Sequence, residues 1–241
     1  MVVIIIIVIA VLLFLIYKRT GKKSMENTYD NITLAKQVLL KDTSATDKWN
    51  TMQTAENEAF LAQTMHIAKT ELVEEGHTDL LFDLATDYFL GNGCEPDPKE
   101  AQRLDFLAAK QNDTNAILRT ARLYSLTDEH DDIYPPNDEE SIKWYTKGAE
   151  LGSVQCQAEL GEMYMYSSIQ NRALALKYSE QAAENDNLKA MENIIELCKY
   201  SRENIDKAVY WCQKAIERGS ERALILKADI DLFQSKLLNE K

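Results

Sequence analysis

The chain has 241 residues, a formal net charge of −12 at pH 7, and only 8 glycines and 4 prolines. The scarcity of turn-forming residues argues against an all-β sandwich, in which Gly and Pro punctuate many short strands. The acidic balance argues against nucleic-acid binding, because neutralising phosphates requires a face rich in Lys and Arg. Composition therefore predicts an all-α protein with no nucleic-acid partner.

The N-terminal segment is an unbroken apolar run from Val2 to Tyr17, followed by Lys18, Arg19, Lys22 and Lys23. As a helix, this run spans about 24 Å, which is close to the roughly 30 Å of a bilayer hydrocarbon core. The alternative is a cleaved secretory signal, which carries positive charge before the apolar run and a small-residue cleavage motif after it. Neither feature is present. We therefore predict a transmembrane anchor over residues 1–17.

The basic residues after the anchor predict its orientation. By the positive-inside rule, they place residues 18–241 in the cytoplasm, so we expect a single-pass protein of the inner (plasma) membrane of a bacterium. In this reducing compartment the four cysteines, Cys94, Cys156, Cys198 and Cys212, would remain thiols. None of them forms a CxxC pair, so we expect buried packing residues and no metal site.

Residues 18–75 combine the basic flank with apolar positions that are spaced for one or two amphipathic helices. These positions include Met52, Ala55, Leu61, Ile67 and Leu72. We predict that this segment is an N-terminal helical stalk or cap, and that a repeat array occupies residues 76–241.

The repeats are most evident where each unit ends. Small residues are followed there by Asn112, Gly152, Asp186 and Gly219, at spacings of 40, 34 and 33. Gly, and less readily Asn or Asp, adopts the left-handed conformation that ends a helix. We predict repeat units at about residues 77–112, 113–152, 153–186 and 187–219, followed by a capping helix at 220–241.

Two columns of side chains recur at matching places in the units. The first helices carry Tyr88, Tyr124 and Tyr164, with Gly161 as a small partner. The second helices carry the large residues Trp144, Tyr178 and Trp211, followed five positions later by small residues such as Ala149 and Ala183. Large and small side chains on facing helices interlock, so we predict that all nine residues pack the repeats together.

The motifs in these units resemble the Sel1-like repeat, a relative of the tetratricopeptide repeat. The third unit reads AELGEMY over residues 158–164, the second reads IKWYTKGAELG over residues 142–152, and the first supplies the loop LGNGCEPDPKEA over residues 90–101. The resemblance covers about residues 77–220. It implies a right-handed α-solenoid of helix-loop-helix units, which we expect to be preceded by the single transmembrane helix predicted above.

The resemblance also implies a scaffold or adaptor that binds other proteins. Together with the predicted anchor, it leads us to expect a membrane-anchored scaffold without catalysis, cofactor or small-molecule substrate. Each unit contacts only its neighbours, which creates a broad surface instead of a closed pocket. The second unit carries an acidic insertion in its loop, and such insertions are often contact elements. We therefore expect Asp128, Glu129, Asp131 and Asp132 to contact a partner.

The alternative function is that of an envelope-facing repeat protein with disulfides and cell-wall or β-lactam hydrolase activity, because the resemblance extends to secreted members with such chemistry. A Cys198–Cys212 disulfide would indicate this function. The sequence contains no Ser-x-x-Lys, Gly-x-Ser-x-Gly or His-Glu-x-x-His motif. The histidines, His66, His77 and His130, are widely separated. We therefore expect no enzyme activity.

Overall fold

The computed structural model of the chain describes residues 22–54, 57–125 and 137–239. These residues form twelve α-helices and one short 3-10 turn (Thr78–Leu80), which confirms the predicted all-α class. The helices are α1 (Lys22–Leu39), α2 (Thr43–Met52), α3 (Glu58–Glu74), α4 (Leu81–Leu90), α5 (Pro98–Lys110), α6 (Thr114–Ser125), α7 (Asp138–Glu150), α8 (Val154–Tyr166), α9 (Arg172–Ala183), α10 (Leu188–Cys198), α11 (Ile205–Glu217) and α12 (Glu221–Asn239).

Two sequence predictions fall outside the described residues. One is the transmembrane anchor at residues 1–17, and the other is the acidic insertion with Asp128, Glu129, Asp131 and Asp132. Across the helices that the structure does describe, none combines the length and the apolar character needed to cross a membrane.

The chain divides into two compact units, residues 1–108 and residues 109–241. In the first unit, α1 packs against α2 and α3, and α3 continues the contacts to α4. Ala35, Trp49, Leu61 and Ala68 are buried in one apolar cluster. The segment predicted as a stalk or cap therefore builds three helices around a core of its own.

In the second unit, each helix from α6 to α12 packs against the next helix along the chain. The first helices of neighbouring repeats also make contact, α8 with α10 and α10 with α12. One apolar cluster joins them, and it includes Ala175, Met191, Ile195, Ala208 and Leu226. The helices from α8 to α12 thus share one continuous core.

Each first helix of the second unit follows a residue in the left-handed conformation. The four residues and their φ angles are Asn112 (70°), Gly152 (85°), Asp186 (63°) and Gly219 (83°). The predicted helix stop is therefore confirmed in every repeat. Asn and Asp tolerate this conformation better than other residues with side chains, which explains their use where glycine is absent.

The next residue in each repeat caps the new helix. Its side-chain oxygen accepts a hydrogen bond from the backbone N–H three residues later, and the pairs are Asp113 to Ala116 (2.8 Å), Ser153 to Cys156 (3.3 Å), Asn187 to Ala190 (2.9 Å) and Ser220 to Ala223 (2.9 Å). These bonds satisfy backbone donors that have no partner inside the helix. The stop and the cap together set the start of each repeat.

The tyrosine column of the first helices marks the place where each loop returns to the repeat. The tyrosine carbonyl accepts a hydrogen bond from the backbone N–H that precedes the second helix, in the pairs Tyr88 and Asp97 (2.9 Å), Tyr124 and Asn137 (2.7 Å), and Tyr164 and Asn171 (2.9 Å). In the fourth repeat the corresponding carbonyl, that of Cys198, accepts from Ser201 instead (2.9 Å). The fourth loop is therefore closed differently.

The second-helix column differs from the prediction by one residue. Trp144, Tyr178 and Trp211 are only half-buried. The fully buried positions are the next residues along the chain, Tyr145, Ser179 and Cys212. In α7 the buried line runs through Ser141, Tyr145 and Gly148 at helical spacing, and Trp144 lies about 100° away from this line. The predicted aromatic residues therefore border the core instead of forming it.

Candidate protein-interaction face

The first helices of the second unit carry a row of charged side chains that joins successive repeats. Arg122 in α6 pairs with Glu159 in α8, with 2.7 Å between Nη2 and Oε1. Lys189 in α10 pairs with the second oxygen of Glu159 at 3.1 Å and also pairs with Glu162. Three repeats are thus connected by one chain of ion pairs.

The row continues from α10 to α12. Arg222 lies 3.5 Å from Glu196 and 3.9 Å from Glu192. Lys199 pairs with Glu196 at 3.0 Å and with Asp229 at 2.8 Å. We refer to the whole row as the first-helix face, and it comprises Arg122, Glu159, Glu162, Lys189, Glu192, Glu196, Lys199, Arg222 and Asp229.

Glu159 is the most enclosed carboxylate in the first half of this row, with a side chain that is 14% exposed. Burial alone would raise its pKa, but hydrogen bonds and positive charge from Arg122 and Lys189 lower the pKa below the usual value for glutamate. Gln155 adds a further hydrogen bond at 3.0 Å. Glu159 is therefore held in its charged form by partners from both neighbouring repeats.

Tyr145 lies beneath the same part of the face, and only 2% of the residue is exposed. Burial raises its pKa, and the negative charge of Glu159 raises the pKa further, so the phenol stays protonated at neutral pH. Sequence reasoning missed this residue. Tyr145 follows Ser141 by four residues and precedes Gly148 by three. This helical spacing is the sequence signal that identifies Tyr145 as a core position.

The sequence-predicted packing residues occupy several places and do not form one cluster. Tyr164 and Tyr178 stack within the third repeat, with ring centroids 6.0 Å apart and planes 11° apart. Trp211 is half-buried against the core of the second unit. In the first unit, the ring of Tyr88 meets that of His66 edge-on at 4.9 Å. Their positions indicate a role in packing.

The predicted small residues lie at close helix contacts. Ala149 and Ala183 are buried, and Gly161 in α8 faces Ser179 and Ala175 in α9. Tyr124, at the end of α6, is half-buried, and burial raises its pKa. At Ala149, Gly161 and Ala183, a larger side chain would push the contacting helices apart.

All four cysteines are free thiols in the structure. Burial raises the pKa of Cys156, Cys198 and Cys212, which makes these thiols poor nucleophiles. Cys212 donates a hydrogen bond to the Ala223 carbonyl at 3.3 Å. In the structure, Cys198 and Cys212 are not joined by a disulfide.

Other chemistry-bearing features are sparse in the part of the chain that the structure describes. No group of three or more His, Cys, Asp or Glu side chains there is arranged to hold a metal ion. An open groove of about 520 Å³ in the first unit is lined by residues that include Trp49, Leu61 and Met65. The most extended polar feature remains the first-helix face.

Comparison with known proteins identifies relatives of this chain. The family model of the Sel1 repeat matches residues 79–113, 118–153, 154–187 and 199–220, which together are more than half of the chain. An uncharacterized protein of Neisseria meningitidis serogroup B is 23% identical over 163 residues, covering 66% of this chain and 33% of that protein.

Two crystal structures resemble the fold. A Sel1 repeat protein from Oxalobacter formigenes superposes with a TM-score of 0.61 at 19% identity, covering 90% of this chain and 88% of that chain. A protective antigen present in uropathogenic Escherichia coli strains, which displays an SLR fold, superposes with a TM-score of 0.58 at 26% identity. It is covered over 35% of its length, and this chain over 69%. The chain thus spans about a third of the Neisseria relative and of the Escherichia antigen, and the likeness to the Oxalobacter protein shows the helical-repeat solenoid fold.

Proposed function

Because the chain belongs to the Sel1 repeat family, we propose that it is a scaffold that binds partner proteins through the first-helix face and catalyses no reaction. Sel1 repeats commonly mediate protein-protein interaction. The observation that carries the proposal is the row of ion pairs on α6, α8, α10 and α12. It consists of two groups, one that joins α6, α8 and α10 through Glu159 and Lys189, and one that joins α10 and α12 through Glu196 and Arg222. Such a row offers donors and acceptors to a partner over several repeats.

A partner can replace the ion pairs of the first-helix face with its own charged groups at little cost in stability. Exposed ion pairs contribute only about 0–1 kcal/mol each to stability, because water screens them and side-chain entropy is lost. Arg122 is 47% exposed and Arg222 is 53% exposed, so their guanidinium groups can bind a second acceptor. Since the row contains both charge signs, we propose a partner segment that also carries both.

We propose in addition that residues 2–17 anchor the protein in the inner membrane with the repeats in the cytoplasm. The apolar run and the basic residues that follow it, Lys18 and Arg19, support this proposal. An anchor would raise the effective concentration of a bound partner near other membrane proteins. The absence of recognised catalytic motifs supports a scaffold over an enzyme.

Site-specific photo-cross-linking of the full chain in native membranes tests the binding face. A benzophenone side chain would replace Arg122 or Glu162 on the face, and Lys143 or Lys177 on the second helices as matched exposed controls. We expect covalent partner adducts at the two face positions and none at the controls. Adducts at the controls alone, or at no position, would contradict the proposed face.

Alkaline carbonate extraction of membranes tests the anchor. We expect the full chain to remain in the membrane pellet and the variant Ile7→Arg to be released, because an arginine at the centre of a membrane helix costs about 2.5–3.5 kcal/mol. Thr20→Arg, beyond the apolar run, is the control and should leave the chain in the pellet. Release of the unmodified chain by carbonate would rule the anchor out.

Protease treatment of intact spheroplasts tests the orientation. A tag at the C-terminus should be protected until detergent opens the cells. Digestion of the tag in intact spheroplasts would place the repeats outside and would favour the envelope-facing alternative.

A further inference from the structure

The last helix, α12, carries an apolar face that no described residue covers. Leu224, Ile225 and Leu232 are 56%, 73% and 57% exposed, and Ala228 between them is also exposed. A helix face that meets water is normally polar. Large apolar side chains grouped on a monomer surface instead indicate an interaction site.

The register of the repeats shows what this face corresponds to elsewhere. The capping residue Ser220 corresponds to Asn187, so Leu224 and Ala228 in α12 correspond to Met191 and Ile195 in α10. Met191 and Ile195 are fully buried in the cluster that α11 completes. On α12 the corresponding side chains have no second helix against them among the described residues.

The exposed side chains are spaced for packing against another helix. Ile225, Ala228, Leu232 and Ser235 follow one another at intervals of three, four and three residues, which places them on one side of α12. Ala228 lies near the middle of this line, where its small side chain permits two helices to approach closely. From Ile225 to Ser235, the line covers more than two turns of α12.

We propose that this face binds the same face of a second copy of the chain, with the two α12 helices antiparallel across a two-fold axis beside Ala228. In this arrangement Ile225 lies opposite Leu232 of the second copy, and Ala228 lies near the axis. A two-fold interface must complement itself, and an apolar line with a small central residue meets this condition.

The charges at the ends of the line favour this partner and this direction. Antiparallel pairing about the same axis places Glu221 of each copy opposite Lys236 of the other. Both side chains are exposed, and neither pairs with a charged group among the described residues. Parallel pairing would place each of them beside its own copy, and like charges repel. A second copy in antiparallel orientation thus complements the charges at both ends of the apolar line.

Cysteine cross-linking of the full chain in mild detergent tests the arrangement. The variants would carry Cys94→Ser, because the other three natural cysteines are buried. We expect Ala228→Cys to form a disulfide-linked dimer rapidly under mild oxidation, since the two introduced thiols lie near the axis. Ser235→Cys on the same line should not cross-link, because its antiparallel partner position is near Arg222. Lys177→Cys on α9 controls for random collision.

Charge reversal in the Ala228→Cys background provides the second measurement. Glu221→Lys alone and Lys236→Glu alone should each lower the cross-linking yield about 3- to 10-fold, because each places like charges opposite one another. The two reversals together should restore the yield, since opposite charges face each other again. Restoration excludes simple misfolding as the cause of the loss.

Three results would overturn the proposal. Cross-linking of Ala228→Cys no faster than that of Lys177→Cys would indicate another occupant of the face. Ser235→Cys cross-linking as fast as Ala228→Cys would show parallel helices. A double reversal that fails to recover the yield would show that Glu221 and Lys236 do not face each other.

Discussion

Gly161 in α8 and Ser179 in α9 lie so close together that a Cβ atom on the glycine would overlap the serine Oγ. The same atom would lie 3.2 Å from the Ser179 backbone nitrogen and 3.3 Å from the Ala175 carbonyl oxygen. The two helices of the third repeat therefore meet at a distance that only glycine permits at this position.

Gly161→Ala should destabilise the protein by about 1–3 kcal/mol, because the added methyl group overpacks the contact. Ser179→Ala should recover part of this loss in the double variant. Alone it should be nearly neutral, since the Ser179 hydroxyl is buried without a hydrogen-bond partner. Urea unfolding of the four proteins provides the measurement. Equal losses in the single and double variants would show that the hydroxyl is not the obstacle.

Tyr145→Ala should cost about 3–5 kcal/mol, as expected for a large side chain removed from a core. The neighbouring Trp144→Ala is the matched comparison and should cost at least about 1 kcal/mol less, because Trp144 is only half-buried. Thermal unfolding of both variants checks the order. A larger loss of stability for Trp144→Ala than for Tyr145→Ala would show that Trp144, the residue predicted from the sequence, occupies the core position.

Asn187→Ala should cost about 1 kcal/mol, because its side chain caps α10 through the Ala190 N–H. Asn204 stands at the start of α11 and makes no side-chain capping bond, so Asn204→Ala should change the unfolding free energy by no more than about 0.5 kcal/mol. The comparison uses chemical denaturation. Similar losses at both positions would argue against capping as the cause.

Asp87 and Lys69 form a mostly buried ion pair in the first unit, with Nζ to Oδ distances of 2.8 and 2.9 Å. Asp87→Ala should cost about 3–5 kcal/mol, because it leaves the lysine charge enclosed without its partner. Adding Lys69→Met should recover part of the loss. Lys143→Ala breaks the exposed pair with Glu140 and should cost no more than about 1 kcal/mol. A double variant less stable than Asp87→Ala would refute this account of the pair.

Glu159→Gln should lower stability by up to about 2 kcal/mol at pH 7, because it weakens the ion pairs with Arg122 and Lys189, which contribute about 0–1 kcal/mol each. The folded pKa of Glu159 is lowered, so its stabilisation is complete above the ordinary glutamate pKa of about 4.3. It is lost as the pH falls through the folded pKa. The difference between variant and unmodified protein should therefore shrink in acid. Urea unfolding from pH 7 to pH 3 measures this stability difference, with the exposed Glu150→Gln as the control. A difference that does not change with pH would show that it does not arise from the charge of Glu159.

The local features of the repeats were predictable from the sequence because they depend on short-range bonds. The left-handed residues Gly152 and Gly219 and the caps beside them act within a few residues of the chain, so their residue types identify the helix ends. The recurrence of these signals at 33 to 40 residues also identified the helical-repeat class. The same reasoning located the buried Ala149 and Ala183.

Which of two adjacent aromatic residues becomes buried was decided only by the tertiary structure. Trp144 and Tyr145 have similar apolar content, and the rotation of α7 against α6 and α8 determines which of them points inward. The ion pairs of the first-helix face also could not be predicted from the sequence, because Arg122 and Glu159 are 37 residues apart. Their meeting depends on the stacking of whole repeats. The sequence by itself determined the type and spacing of the helices through local bonding, and the packing of repeat on repeat decided the burial, the ion-pair row and the exposed face of α12.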